Sequence, residues 1–194
     1  MGWFRPVHGK SAPAQEVRAL LVARKQLQAK MRDVELSLRG LLRGFGLKVG
    51  EISKGQFATR VRFLVAGHSM LQAREALRTE FTKLHRAMLA IVREDAVCRR
   101  LMTVPGVGAL IAVTFTSGVD DPGRFTRSKG VGAHFGLTPR KHQSGETDVT
   151  GAVSRVGDAI VRTALYEGAH ILLTRRCASR PSSAGRWRSR GGAA

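Results

Sequence analysis

With 194 residues, 43% of them hydrophobic, the chain can build one medium domain or two small ones around a core, which excludes a disordered basic tail. Lys plus Arg number 33 against 14 Asp plus Glu, a net charge of +19, so the expected partner is a polyanion, of which nucleic acid is the commonest, although ribosomal and membrane-surface proteins carry similar excesses. Cys98 and Cys177 lie in no CxxC or CxxH spacing, which excludes zinc-finger and disulfide frameworks; no apolar run reaches about 18 residues and "MGWFRPVHGK" has no apolar signal-peptide core, so the expectation is a soluble cytoplasmic protein with no membrane partner.

Residues 1–15 read as a linker. From Glu16 to Phe45 the apolar residues follow a heptad. Val17, Met31, Leu38 and Phe45 fall at one core position and Leu20, Leu27, Val34 and Leu41 at the other, interrupted only by Arg24. The repeat predicts a long amphipathic helix, started by Ser11 or Ala12-Pro13 and stopped by Gly44 and Gly46. After the loop "GLKVGEISKGQ", Met70, Leu77, Leu84 and Ile91 form one row of a second long helix, with Phe81 and Met88 in the other. Together the two predict an antiparallel coiled-coil hairpin over 16–96. Its stripe either buries itself within one chain or also pairs with a second subunit, because the same pattern serves both.

A chemically different region, expected as a small helical domain over 97–173, begins near Cys98. In "RRLMTVPGVGALIAVTFTSGV" a Pro-Gly-Val-Gly turn separates two apolar helical stretches, a helix-hairpin-helix pattern. Gly106 and Gly108 would leave backbone N–H groups bare at the start of the following helix, where, with the helix dipole, they can hold a DNA phosphate without reading sequence. The alternative is an ordinary helical turn that needs glycine for its φ angles. Asp120-Asp121-Pro122-Gly123 is a predicted turn, and Phe125 to Phe135 a short helix in a stretch carrying Arg124, Arg127 and Lys129. Ile160, Val161, Ala164, Leu165, Ala169 and Leu172 give a closing helix. Residues 174–194 contain six arginines, no acid and one large apolar residue, Trp187. They cannot bury a face and are expected to form a disordered basic tail whose arginines can contact phosphates. The abrupt change of composition after Leu173 suggests a shifted reading frame.

Between the short helix and the closing helix lies "GLTPRKHQSGETDVTGAVSRVGDAIVR", an irregular or β-hairpin segment around Ser144. A serine hydroxyl can attack phosphorus and form a covalent protein-DNA ester if its surroundings help remove the proton and hold the extra negative charge. Arg140, Lys141 and His142 precede Ser144, and Arg155 and Arg162 follow it. Arginine suits the second task because its charge is permanent and its fork matches phosphate oxygens. On a helix, Arg155 and Arg162, seven apart, would share a face. Gln-Ser-Gly-Glu is equally an ordinary turn. His142 is the weaker base candidate, because it shares a side with Ser144 only if no bulge intervenes; Glu146 and Asp148 either orient the arginines or are solvated loop acids.

The run from Arg99 to Ala169, with its "PGVG" hairpin, "RF" after an acidic turn, "GLTPR", "QSGE" and the spaced Gly151, Gly157, Arg162 and Leu165, resembles the C-terminal domain of bacterial insertion-sequence transposases of the IS-one-ten class. The part from "GWFRPVH" to "LRGLLRGFGLKVG" is similar to the coiled-coil segment ahead of that domain, so the resemblance extends to about Leu173. It implies DNA recombination guided by a structured RNA, within homo-oligomers held partly by the coiled coil. Ser144 stands at the position of the family's catalytic serine. The resemblance also implies an N-terminal RuvC-like domain whose Asp and Glu residues bind divalent metal, expected to be Mg. No strand-borne carboxylate set stands in this chain, so the expectation is a truncated transposase that binds nucleic acid, binds no metal or other cofactor itself and has no independent recombinase activity. Val156 departs from the pattern, in which a second basic residue tends to precede the glycine. The alternatives are a non-catalytic basic nucleic-acid binder using the hairpin turn and coiled coil, and a coiled-coil adaptor that assembles other proteins.

Overall fold

The computed structural model describes residues 8–53, 55–65 and 69–178. Two long helices lead, α1 (Ala12–Gly44) and α3 (Ser69–Glu94), with the short α2 (Phe57–Leu64) between them. They are followed by α4 (Ala96–Leu101), α5 (Ala109–Val119), a 3-10 turn at Pro122–Arg124 and α6 (Ser128–His134). A two-stranded antiparallel sheet, β1 (Pro139–Ser144) and β2 (Thr147–Val153), then leads to α7 (Ala159–Ala178). The chain is mainly helical, as its periodicity predicts. No helix among the described residues is long and apolar enough to cross a membrane.

Local chemistry sets the helix ends. Ser11 caps α1 through its hydroxyl, with Pro13 in the first turn. The helix closes where Gly46, at φ +76°, lets its N–H reach Arg43 O and that of Leu47 reach Leu42 O. Asp95 caps α4 by accepting from Val97 N and Cys98 N. Residues 174–178, expected to begin the tail, continue α7, since a helix ends where its backbone hydrogen bonds stop rather than where its apolar face does. The rest of that tail, including Trp187, lies outside the described residues.

Helices α1 and α3 run antiparallel, because Leu21 near the start of one packs with Met88 and Val92 near the end of the other, and Leu38 and Leu42 pack with Leu71. The seam is wider than the heptad assignment. The row of Val17, Arg24, Met31 and Leu38 faces inward, and the predicted Leu20 and Val34 pack half-buried against the apolar clusters, but the fully buried companions are Ala14, Leu21 and Leu42, one position further on, and Leu41 is exposed. On α3 likewise Leu71 and Val92 are fully buried, with the predicted Met70 and Ile91 half-buried against the same clusters, while Met88 holds its predicted place. Both helices carry a third apolar row, and the pattern cannot tell which flank turns inward. Phe45, assigned to the core, is exposed. The second arm is broken: α2 packs Phe57 and Val61 into the distal end of the pair.

Among the described residues three apolar clusters result. A distal one gathers Leu38, Leu42, Val49, Phe57, Val61 and Leu71; a central one joins α1, α3, α4 and α5 through Leu21, Met88, Val92, Cys98, Ala112 and Val113. The third, Val119, Phe135 and Val161, lies under the root of the β-hairpin.

Candidate functional site

Thr147, Val149, Thr150 and Val153 favour extended backbone, and Gly145, at φ +57°, permits the two-residue turn that pairs Ser144 with Thr147. Every residue of both strands is exposed. Ser144 therefore stands at the tip of an open hairpin, about 17 Å along the strand from Pro139 at its root. Paired residues share a face, so His142, Ser144, Thr147 and Val149 point to one side and Lys141, Gln143, Asp148 and Thr150 to the other. The register irregularity falls between Pro139 and Lys141, not between His142 and Ser144. This removes the ground for setting His142 aside, since it lies on the serine's own face, whereas Asp148 lies on the opposite one.

The root of the hairpin is tightly built. Its ladder extends through Ser154 N to Thr138 O at 2.9 Å and Arg155 N to Gly136 O at 3.1 Å. Gly136 (φ +65°) and Gly157 (φ +99°) cannot be replaced without conflict, because an added Cβ would fall 2.0 Å from Val156 O and 2.3 Å from His134 O. Arg162, in the first turns of α7, donates through Nη1 to Phe135 O at 3.1 Å and Val156 O at 3.4 Å. Arg140 Nη2 donates to Ser154 O at 3.3 Å. Arg155 is not helical: it occupies the link between β2 and α7 with φ +55°, so the shared helix face imagined for it and Arg162 does not exist. The structure thus gathers Arg140, Arg155 and Arg162 at the hairpin root, with Ser144 at the far tip and Lys141 between.

The Pro-Gly-Val-Gly turn joins α4 to α5, and its two glycines differ. Gly106 has φ +86°, and a Cβ there would fall 2.7 Å from Gly168 O, so its bareness admits the close approach of α7 and its torsion fits the ordinary-turn alternative. Gly108 is the exposed N-cap of α5, with no side-chain cap and open space around its Cα. The first-turn amides of α5 form an open positive end there.

One constellation escaped sequence reasoning. From His8 onward the expected linker is strapped to the end of α5. Asp120, at φ +62°, accepts from Ser11 N and Oγ and pairs with His8 Nε2 at 3.0 Å, while Lys10 Nζ donates to Ser117 O and Gly118 O at 2.9 Å each. Hydrogen bonds from Ser11, then His8, pull the Asp120 carboxyl down to about 2. Arg18 pairs with Asp158, and Arg124 lies 2.9 Å from His134 Nε2. Burial, then neighbouring Arg18, lowers Lys10, and burial, then Arg124, lowers His134. These partners stand up to 112 residues apart, so no local pattern could reveal them. Among the described residues no group of three or more His, Cys, Asp or Glu could hold a metal ion.

The sequence profile of the transposase IS116/IS110/IS902 family matches residues 98–186, covering α5, the hairpin and all of α7. The chain is 31% identical to a transposase for insertion sequence element IS1111A from Coxiella burnetii, over 88% of this chain and 50% of that protein. It is 29% identical to a probable family 20 transposase from Pseudomonas aeruginosa, over 95% of this chain and 58% of the relative. A putative transposase of Sinorhizobium fredii, y4pF/y4sB, shares 25% identity over 95% of the chain and 50% of its own length. The chain spans about half the length of the curated relatives it matches.

Proposed function

From the match of residues 98–186 to the IS116/IS110/IS902 transposase family, we propose that the chain belongs to that family and is the nucleic-acid-handling portion of a DNA recombinase whose nucleophile is Ser144. The observation that carries this reading is the placement of Ser144 at the tip of a fully exposed hairpin, where a phosphodiester can reach it from outside. Ser144 Oγ attacks phosphorus, a P–O bond of the strand breaks, and the departing DNA oxygen takes up the proton that the serine loses. His142 is the titratable side chain on that face, placed to relay the proton through a water. Lys141 and Arg140 attract the strand, and Arg155 and Arg162 act on phosphates nearer the hairpin root than the scissile one. The open amides at Gly108 supply a further phosphate contact on an element independent of the hairpin.

The described residues do not fit the divalent metal that the resemblance implies, and no step above passes through one. The part of the relatives that this chain does not span is the expected source of that metal. The same reading includes DNA as substrate, a structured guide RNA, homo-oligomerisation through the paired α1 and α3, and cytoplasmic location. A second reading, a non-catalytic nucleic-acid binder, draws on the distance between Ser144 and the arginines at the hairpin root.

Covalent capture separates the two. With labelled element DNA, Mg and the complementary half of a relative supplied in trans, the chain is expected to form a protein-DNA adduct resistant to denaturant, and Ser144→Ala to form none. An adduct that survives in Ser144→Ala would remove Ser144 from the chemistry. Salt-dependent DNA binding with no adduct under any condition would favour the binder.

A further inference from the structure

Away from the β-hairpin, two hollows run along α1. One, of about 420 Å³, lies between α1, α5 and α7, and the other, of about 410 Å³, lies between α1 and α3. They adjoin, because Gln28 and Arg32 line both. None of Ser144, Arg140, Lys141, Arg155 and Arg162 lines either.

The chemistry of this track is one-sided. Among the described residues five cations line it, Arg24, Lys25, Arg32, Arg74 and Arg78, against two acids, Glu35 and Glu167. Glu35 is neutralised by Arg74, at 2.6 Å. Arg24 is held over the Phe81 ring at 4.8 Å and donates to His85 Nδ1. The side chains of the remaining three, Lys25, Arg32 and Arg78, have no hydrogen-bond or ion-pair partner among the described residues. Lys25 and Arg32 are seven residues apart, hence on one side of α1 and about 10 Å apart along it. A compact fold with this much positive charge has every electrostatic reason to pair such cations internally. Leaving them in a groove favours an anionic ligand that enters it.

We infer that the two hollows form one track for a single nucleic-acid strand, whose phosphates are held by Lys25, Arg32 and Arg78 while the apolar floor of Leu21, Leu110 and Ile160 takes sugar or base. Each hollow has the volume of a small-ligand pocket, room for a nucleotide or so and too little for a duplex. Basic grooves of this width recognise the backbone without reading sequence. The inference rests on the reading of the chain as nucleic-acid-handling and adds to it a second surface, separate from the serine. Single-stranded DNA and single-stranded RNA present the same phosphodiester.

The test compares the chain with its Lys25→Gln/Arg32→Gln double variant. Affinity for short labelled strands of DNA, of RNA and for duplex DNA is measured across a salt series by fluorescence anisotropy. Both side chains are exposed, and an unchanged thermal melt serves as the control for folding. The wild-type slope of log K against log salt should be steep, and the variant's shallower by about 1.4 for whichever single strand occupies the track, from about 0.7 per lost phosphate contact. The duplex slope should stay nearly constant. Equal loss on duplex and single strands would show a diffuse charge effect and overturn the track, as would unchanged slopes on every probe. Failure of the wild type to bind any probe would instead overturn the nucleic-acid reading beneath it. Adduct formation at Ser144 is a separate readout, so the two ideas fail independently.

Discussion

Arg162 shows how a side chain can carry a structural task that its type does not announce. Arginine near a candidate nucleophile reads as a phosphate clamp, yet here one guanidinium nitrogen ties the end of α6, at Phe135 O, to the link before α7, at Val156 O. The backbone must turn sharply there, with Gly136, Arg155 and Gly157 all at positive φ, and the carbonyls left by that turn need a donor. Arg162→Ala is therefore expected to destabilise the fold by about 2 kcal/mol, measured by urea unfolding, and to loosen the hairpin root. A variant as stable as wild type would show that the clamp is dispensable for folding. His142 illustrates the converse. Its side relative to Ser144 hangs on where a register irregularity falls, and alternation alone could not place that irregularity before Lys141 rather than after it.

Among elements, the long helices were the most legible part of the chain, because an apolar repeat sustained at this spacing over many turns makes a continuous stripe only on a helix. Their inward faces were half legible. Leu20 and Leu21 lie side by side on α1, and Met70 and Leu71 on α3, and only the partner helix decides which of each pair is fully covered and which stays half-buried. The start of α7 is set at longer range. Asp158 caps it through Ile160 N at 2.9 Å and Val161 N at 3.4 Å, and pairs with Arg18 of α1. Burial pushes its pKa up, but the bond from Arg18 and the cap amides more than offset this, leaving it below the ordinary 3.8. A carboxyl depressed in the folded state stabilises it at every pH above the unfolded value and loses that contribution as the pH falls through the folded one. Asp158→Ala should thus cost about 2 kcal/mol near neutrality, from the lost cap and the stranded Arg18. The gap between variant and wild type should close below about pH 4, which chemical denaturation across an acid series would reveal. A gap that persists unchanged into acid would deny the carboxylate this role.

At the scale of the whole molecule, the distal cluster around Leu38 and the central cluster around Met88 share no buried residue, and between them the α1 and α3 seam carries Arg24, His85, Glu35 and Arg74 in polar contact. A structure held by separate apolar centres can open at one without the other. Leu38→Ala should cost about 3 kcal/mol, with faster amide exchange in hydrogen-exchange mass spectrometry confined to α2 and the facing ends of α1 and α3. Equal acceleration in α5 would show instead that the molecule opens as one unit. By itself the sequence determined the helical class, the helix starts set by neighbouring residues, the turn at Ser144 and the strongly positive charge from which a polyanionic partner is proposed, because each follows from local spacing or total charge. Only the tertiary structure decided that Ser144 stands apart from Arg155 and Arg162, that His142 shares its face, that residues as early as His8 clasp the end of α5, and that cations on α1 with no partner among the described residues border a groove. Those facts depend on which distant segments meet, and the requirement that buried carbonyls and charges find partners is satisfied across the fold rather than along the chain.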